Sequence, residues 1–213
     1  MLNKKIRVLL VDDHVIVRTG VRLMLGDAED IAVEGEAETA QQALQMVRDN
    51  DYDVALVDVG LPDRNGLDLL KSLKSEKPKL AVLILSTYSE EIYALRALKH
   101  GAAGYLTKDS PGSTLITAVR KAATGGKHVS PALMEKLASM IGGGAVGSHE
   151  SLSNRELEVL KLIAAGESLV RIAETLHLSP HTVTTYRARI LDKMGMRSNA
   201  ELTRYAVENG LLM

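Results

Sequence analysis

Five short aliphatic or β-branched runs recur through the first 124 residues: Arg7–Val11, Ile31–Val33, Val54–Val57, Ala81–Leu85 and Ala103–Leu106. Between them lie stretches whose apolar residues stand three and four apart. Val15, Val17, Val21 and Leu25 mark one, and Ile92, Leu95 and Leu98 another, which Gly101 closes as a helix C-terminal glycine would. Strands alternating with helices imply parallel βαβ units, and right-handed crossovers then give a doubly wound sheet. The strands are apolar almost throughout, as a sheet covered on both faces requires. The expected fold of residues 1–124 is therefore α/β, with a five-stranded parallel sheet.

The pattern then breaks. Gly125-Gly126 ends the last helix of this unit, and Ser130-Pro131 predicts a short helix to about Met140. Gly142-Gly143-Gly144-Ala145-Val146-Gly147-Ser148 has the composition of a flexible linker. Residues 125–150 are read as a linker carrying that short helix. From Ser151 the pattern is helical only. Ser153 with Glu156, and Ser198 with Glu201, have capping-box spacing, while Ser179-Pro180 reads as an N-cap followed by a first-turn proline. With Gly166, Gly195 and Gly210 as stops, four helices are predicted at about 153–165, 168–176, 180–194 and 198–209. Residues 151–213 should form a small all-α domain.

Composition narrows the chemistry. The absence of cysteine removes disulfides, thiolate catalysis and cysteine-ligated metal sites. Asp12 and Asp13 interrupt the N-terminal apolar run too early for a signal-peptide core, and no apolar stretch approaches the ~20 residues that cross a bilayer. A cytoplasmic protein with no membrane partner is the expectation. The net charge of −1 argues for no nucleic acid by itself. Residues 182–197, however, hold Arg187, Arg189, Lys193 and Arg197 against Asp192 alone, a local basic stretch. Without Phe or Trp there is no aromatic platform for single strands. The six histidines show no metal-ligand spacing and are set aside as surface or loop residues.

Three carboxylates stand at strand ends: Asp12 and Asp13 after the first strand, Asp58 after the third. Ligands of a doubly wound sheet bind beyond the carboxyl ends of its strands, so these side chains should converge. Packed like charges need a counter-charge, and an all-oxygen set favours a hard cation, Mg²⁺ before transition metals. A carboxylate beside Mg²⁺ is a plausible phosphoryl acceptor. Ser86 ends the fourth strand and Lys108 follows the fifth, so a hydroxyl and an ammonium reach the same rim. An aspartate-nucleophile phosphatase on such a sheet would want a second acid two residues after Asp58, where Gly60 stands.

The pattern Val11-Asp12-Asp13, Val57-Asp58, Leu85-Ser86 and Gly104-Tyr105-Leu106-Thr107-Lys108 resembles a response-regulator receiver of flavodoxin/CheY-like fold. The resemblance implies that Asp58 is the phosphoacceptor and that Asp12, Asp13, Asp58 and the Gly60 carbonyl hold Mg²⁺. It further implies that Ser86 and Lys108 contact the phosphoryl group and that Tyr105 is a rotating switch. Asp109 stands where many receivers have proline.

In the last 63 residues Ile172, Ala173 and Leu176 share a face of one helix, Leu178 marks a turn, and Val183 and Ile190 share a face of the next. This is how two helices pack to project the second into a major groove. Thr182, Thr184, Thr185, Arg187 and Ala188 are then candidates for the outward surface. Arg187, Arg189 and Lys193 are read as phosphate or base contacts. The runs Leu152-Ser153-Asn154-Arg155-Glu156-Leu157 and Leu178-Ser179-Pro180-His181-Thr182-Val183 resemble LuxR-type helix-turn-helix domains. The order of the two units resembles the NarL/FixJ subfamily of transcription regulators. Ser168-Leu169-Val170-Arg171, Tyr186 and the threonines of the third helix depart from common members, which bears on the DNA sequence preferred. The resemblance implies a non-enzymatic regulator that binds double-stranded DNA, is phosphorylated by a sensor histidine kinase and dimerises when activated. RNA polymerase is a further candidate partner.

Overall fold

The computed structural model describes residues 5–87, 90–131, 133–135 and 149–212, with backbone alone at 90–92. They divide into two compact units, Met1–Gly142 and Gly143–Met213. The expected helix from Ser130-Pro131 is seen as helical residues 131 and 133–135; its remainder and the glycine-rich linker lie outside the described residues.

The first unit runs β1 (Ile6–Val11), α1 (Val15–Gly26), β2 (Ile31–Ala37), α2 (Ala40–Asp49), β3 (Val54–Val57), α3 (Gly66–Glu76), β4 (Ala81–Ser86), α4 (Glu90–Lys99), β5 (Gly104–Thr107) and α5 (Gly112–Ala123). The five strands are all parallel in the order β2-β1-β3-β4-β5. The order reverses at β1/β3, and that places a crevice between the carboxyl ends of those strands. Apolar residues of β1, β3, β4 and β5 pack with Val21 and Leu25 of α1 and Leu115, Ala118, Val119 and Ala122 of α5. Leu67, Leu70 and Leu73 of α3 and Val47 of α2 are buried as well.

β2 is longer than its apolar run suggested. Its register against β1 slips between Val8 and Leu9, skipping Glu34, and the strand continues through Gly35 to Ala37. A β-carbon at Gly35 would collide with the Tyr52 hydroxyl and Met46. As an edge strand, β2 tolerates Glu34 and Glu36 where a central strand would not.

The second unit opens with a 3₁₀ turn (His149–Ser151) and continues as α6 (Asn154–Ala164), α7 (Leu169–Thr175), α8 (Pro180–Met194) and α9 (Asn199–Glu208). The Ser153–Glu156 capping box is complete. At α9, Ser198 caps the Glu201 amide while the Glu201 carboxylate takes the Arg197 amide at 2.9 Å. Ile172, Ala173, Val183, Ile190 and Leu202 are buried, so α7 and α8 pack across a tight turn. That turn holds His177 at φ 51°, a left-handed conformation more usual for glycine.

Candidate functional site

At the crevice, the parallel ladder runs one residue past the strands. The Asp12 amide donates to the Ala37 carbonyl at 3.0 Å and the Asp58 amide to the Val11 carbonyl at 2.8 Å. Both side chains are thereby laid at the carboxyl edge of the sheet, each about 5% exposed. The carboxylates of Asp12, Asp13 and Asp58 gather as expected, with one ligand atom from each within 4.8 Å of the others. The Lys108 ammonium bridges two of them, 2.6 Å from Asp12 and 2.9 Å from Asp58. Burial pushes the Asp58 carboxyl above its ordinary range; Lys108 and the Gly60 amide oppose that without overcoming it. Burial pulls Lys108 down, but its two carboxylate partners outweigh it, and the ammonium stays protonated beyond its usual range.

Ser86 ends β4 fully buried, and its carbonyl accepts the Lys108 amide at 2.8 Å. Tyr105 lies on β5 with its ring buried. The buried oxygens Asp12 Oδ2 and Asp13 Oδ1 accept no well-formed hydrogen bond, although Lys108 and His14 stand at ion-pair distance. Carboxylate oxygens converging in this way, part of their valence unspent, suit a small hard cation.

Sequence reading missed several parts of the pocket. It expected oxygen donors only, yet His14 Nδ1 lies 2.8 Å from Asp13 and 3.1 Å from Asp12. Spacing between histidines could not reveal a single imidazole delivered by the turn after β1. Arg18 is buried beneath the same turn, donating to the Asp12 carbonyl at 2.7 Å and pairing with Glu36 and Glu38. Gly66 opens α3 against the Asp58 backbone so closely that a β-carbon there would overlap the Asp58 carbonyl.

On α8, Thr184, Thr185, Ala188 and Arg189 are exposed and Thr182 and Arg187 partly so. The Thr182 hydroxyl lies 2.8 Å from the Ser179 hydroxyl. Arg187 Nε donates to Asn199 Oδ1 of α9 at 2.7 Å. Lys193 is turned toward α6, its ammonium 2.7 Å from Glu156, whose side chain is 4% exposed.

Comparison with known proteins decides the family. Residues 8–120 match the response regulator receiver domain, and residues 150–206 match the bacterial regulatory proteins of the luxR family. The chain belongs to the NarL/FixJ response regulators. It is 35% identical to response regulator GacA of Pseudomonas aeruginosa, covering 97% of this chain and 98% of that one. It is 34% identical to response regulator UvrY of Escherichia coli K12, covering 97% and 95%. A solved structure of RcsB from Salmonella enterica serovar Typhimurium, bound to promoter rprA with the phosphomimetic BeF3⁻, matches with a TM-score of 0.69. The identity is 25%, over 95% of this chain and 98% of that one.

This NarL/FixJ response regulator is thus a phosphorylation-dependent two-component transcription regulator, a class that acts on DNA and not as enzymes. No helix among the described residues is long and apolar enough to cross a membrane.

Proposed function

We propose that Asp58 takes a phosphoryl group from a sensor histidine kinase and that residues 151–213 bind double-stranded DNA in response. The receiver spans residues 1–124 and the linker 125–150. Asp12, Asp13, Asp58 and the Gly60 carbonyl would hold Mg²⁺, which when bound would supply charge neutralisation for the phosphoryl oxygens. An Asp58 carboxylate oxygen attacks phosphorus, the phosphorus–nitrogen bond of the phosphohistidine breaks, and the departing imidazole nitrogen takes a proton. Lys108 and Ser86 then bind oxygens of the acyl phosphate. Lys108 must give up part of its hold on Asp12 to do so, and this draws on the loop after β5. On the switch reading, Tyr105, whose side chain is buried on β5, repacks when the phosphoryl group arrives.

A shift toward that state favours a homodimer, and two linked DNA-binding units gain affinity for paired half-sites. Thr182, Thr184, Thr185, Arg187, Ala188, Arg189 and Lys193 are the proposed DNA-contacting residues, RNA polymerase a proposed partner, and the cytoplasm the proposed location. The observation that carries this reading is the Lys108 ammonium held between the buried Asp12 and Asp58 carboxylates. The test treats wild type and Asp58→Asn with acetyl phosphate and Mg²⁺ and weighs the intact protein. Wild type gains one phosphoryl mass and the variant none; equal gains in both overturn the acceptor assignment.

A further inference from the structure

The exposed stripe of α8 consists of His181, Thr184, Thr185, Ala188, Arg189 and Asp192, residues at helical spacing along one side. Its centre is uncharged. The Thr184 hydroxyl donates to the Pro180 carbonyl at 2.9 Å, and the Thr185 hydroxyl to the His181 carbonyl at 3.1 Å. A hydroxyl has one hydrogen to give, and here both are spent on the helix's own backbone. With each oxygen turned to the carbonyl four residues back, the γ-methyl takes another staggered position on the same β-carbon. Ala188, one turn on, adds a third methyl. The basic groups stand at the margins: Arg187 is bonded to Asn199 and Lys193 to Glu156.

From this geometry, and resting on the DNA-binding reading above, we infer that α8 reads thymine through its C5-methyl group, using the γ-methyls of Thr184 and Thr185 and the methyl of Ala188. A methyl group projecting into the major groove distinguishes thymine from the other bases, and an apolar side chain is its natural contact. The same hydroxyls could donate to base edges only by breaking their bonds to the backbone; toward bases they are left as acceptors, which thymine's major-groove edge, an O4 acceptor and a methyl, cannot satisfy. Arg189, at the side of the stripe, serves the phosphates and sets affinity, not sequence.

The experiment uses the full-length chain with acetyl phosphate and Mg²⁺ at one fixed salt concentration. A duplex is first selected from a random pool. It is then resynthesised with deoxyuridine replacing each thymidine in turn, which deletes the C5-methyl and keeps the base pair. Wild type binds about fourfold more weakly at each methyl that is read, from about 0.8 kcal/mol per buried methyl-sized group. The double variant Thr184→Ser with Thr185→Ser keeps both hydroxyls and loses both methyls, and its discrimination between thymine and uracil disappears at those positions. The double variant Thr184→Val with Thr185→Val keeps the methyls without the hydroxyls and preserves that discrimination. Equal binding of every thymine and uracil duplex by wild type overturns the inference while leaving DNA binding intact. Loss of discrimination in the valine variant, which keeps the γ-methyls, overturns the assignment of the thymine contact to them. Failure to select any duplex removes the inference together with the DNA-binding reading beneath it.

Discussion

The acidic pocket and the outer face of α8 solve opposite problems. In the pocket, charges are buried and interlocked: Asp12, Asp58 and Lys108 share one small volume, and Arg18 and Gly66 fix the backbone beneath them. On α8 the middle of the exposed face is neutral, and the hydroxyl hydrogens of Thr184 and Thr185 are already given to the helix's own backbone. Group transfer needs charges held in a low dielectric before the reactant arrives. Groove reading needs a surface that loses little when it is desolvated. Substitution in the pocket should therefore be felt through the fold, and substitution on the face of α8 only through the ligand.

Gly66→Ala is the severest test of that contrast. Its β-carbon would overlap the Asp58 carbonyl, so β3 or α3 must move. A loss of about 3 kcal/mol is expected, as for overpacking that a core cannot absorb. Urea titration of the full chain checks it, and phosphorylation by acetyl phosphate should fall in the same variant. A stable variant with normal phosphorylation would break the claim that the pocket is braced from below.

Lys193→Ala comes next, because Lys193 sits on α8 but belongs energetically to the interior. Removing it leaves Glu156 buried beside the capping box. The expected loss is about 2 kcal/mol, less than for a fully buried pair because the lysine is 40% exposed. Arg189→Ala should instead leave the melting temperature alone and reduce the salt slope of DNA binding by about one. If Lys193→Ala changes the slope and not the stability, Lys193 belongs with the phosphate contacts after all.

A smaller effect is expected at Lys161 of α6. Burial pulls its ammonium down to about 8, and Glu158 only partly restores it. Below pH 8 the folded state bears the cost of a buried charge. From there to the ordinary value of 10.5, the unfolded chain holds more protons, so stability rises with pH. Lys161→Met should stabilise the C-terminal unit by about 1 kcal/mol at pH 7, after allowance for solvent screening, and flatten that rise. Denaturant midpoints at pH 7 and pH 10 measure both. The smallest change is His177→Gly, which relieves the left-handed residue in the turn between α7 and α8. A gain of about 0.5 kcal/mol is expected, read as a small upward shift in the melting temperature.

How far each region could be read from its residues follows the same divide. β3 is legible because Val54-Ala55-Leu56-Val57 is buried on both faces of the sheet. The far half of β2 is not, since Glu34, Gly35 and Glu36 interrupt the apolar run and only the pairing with β1 shows why they are extended. The convergence of Asp12, Asp13 and Asp58 follows from their places at strand ends. The part played by His14 does not, because it depends on how one turn aims one ring. Helix caps of the second unit are local chemistry and could be anticipated at Ser153, Ser179 and Ser198. The engagement of Lys193 could not, because its partner is 37 residues away on another helix. The rotamers of Thr184 and Thr185 are likewise invisible in one dimension.

Lys108 is fastened at both ends. Its amide hangs on the last residue of β4, while its ammonium is moored to residues that follow β1 and β3. One residue, through its backbone and its side chain, therefore cross-stitches the termini of four adjacent strands, counting its own. A newcomer that recruits the ammonium cannot do so without slackening that seam, so arrival at the pocket is reported along the rim of the sheet by simple mechanical necessity.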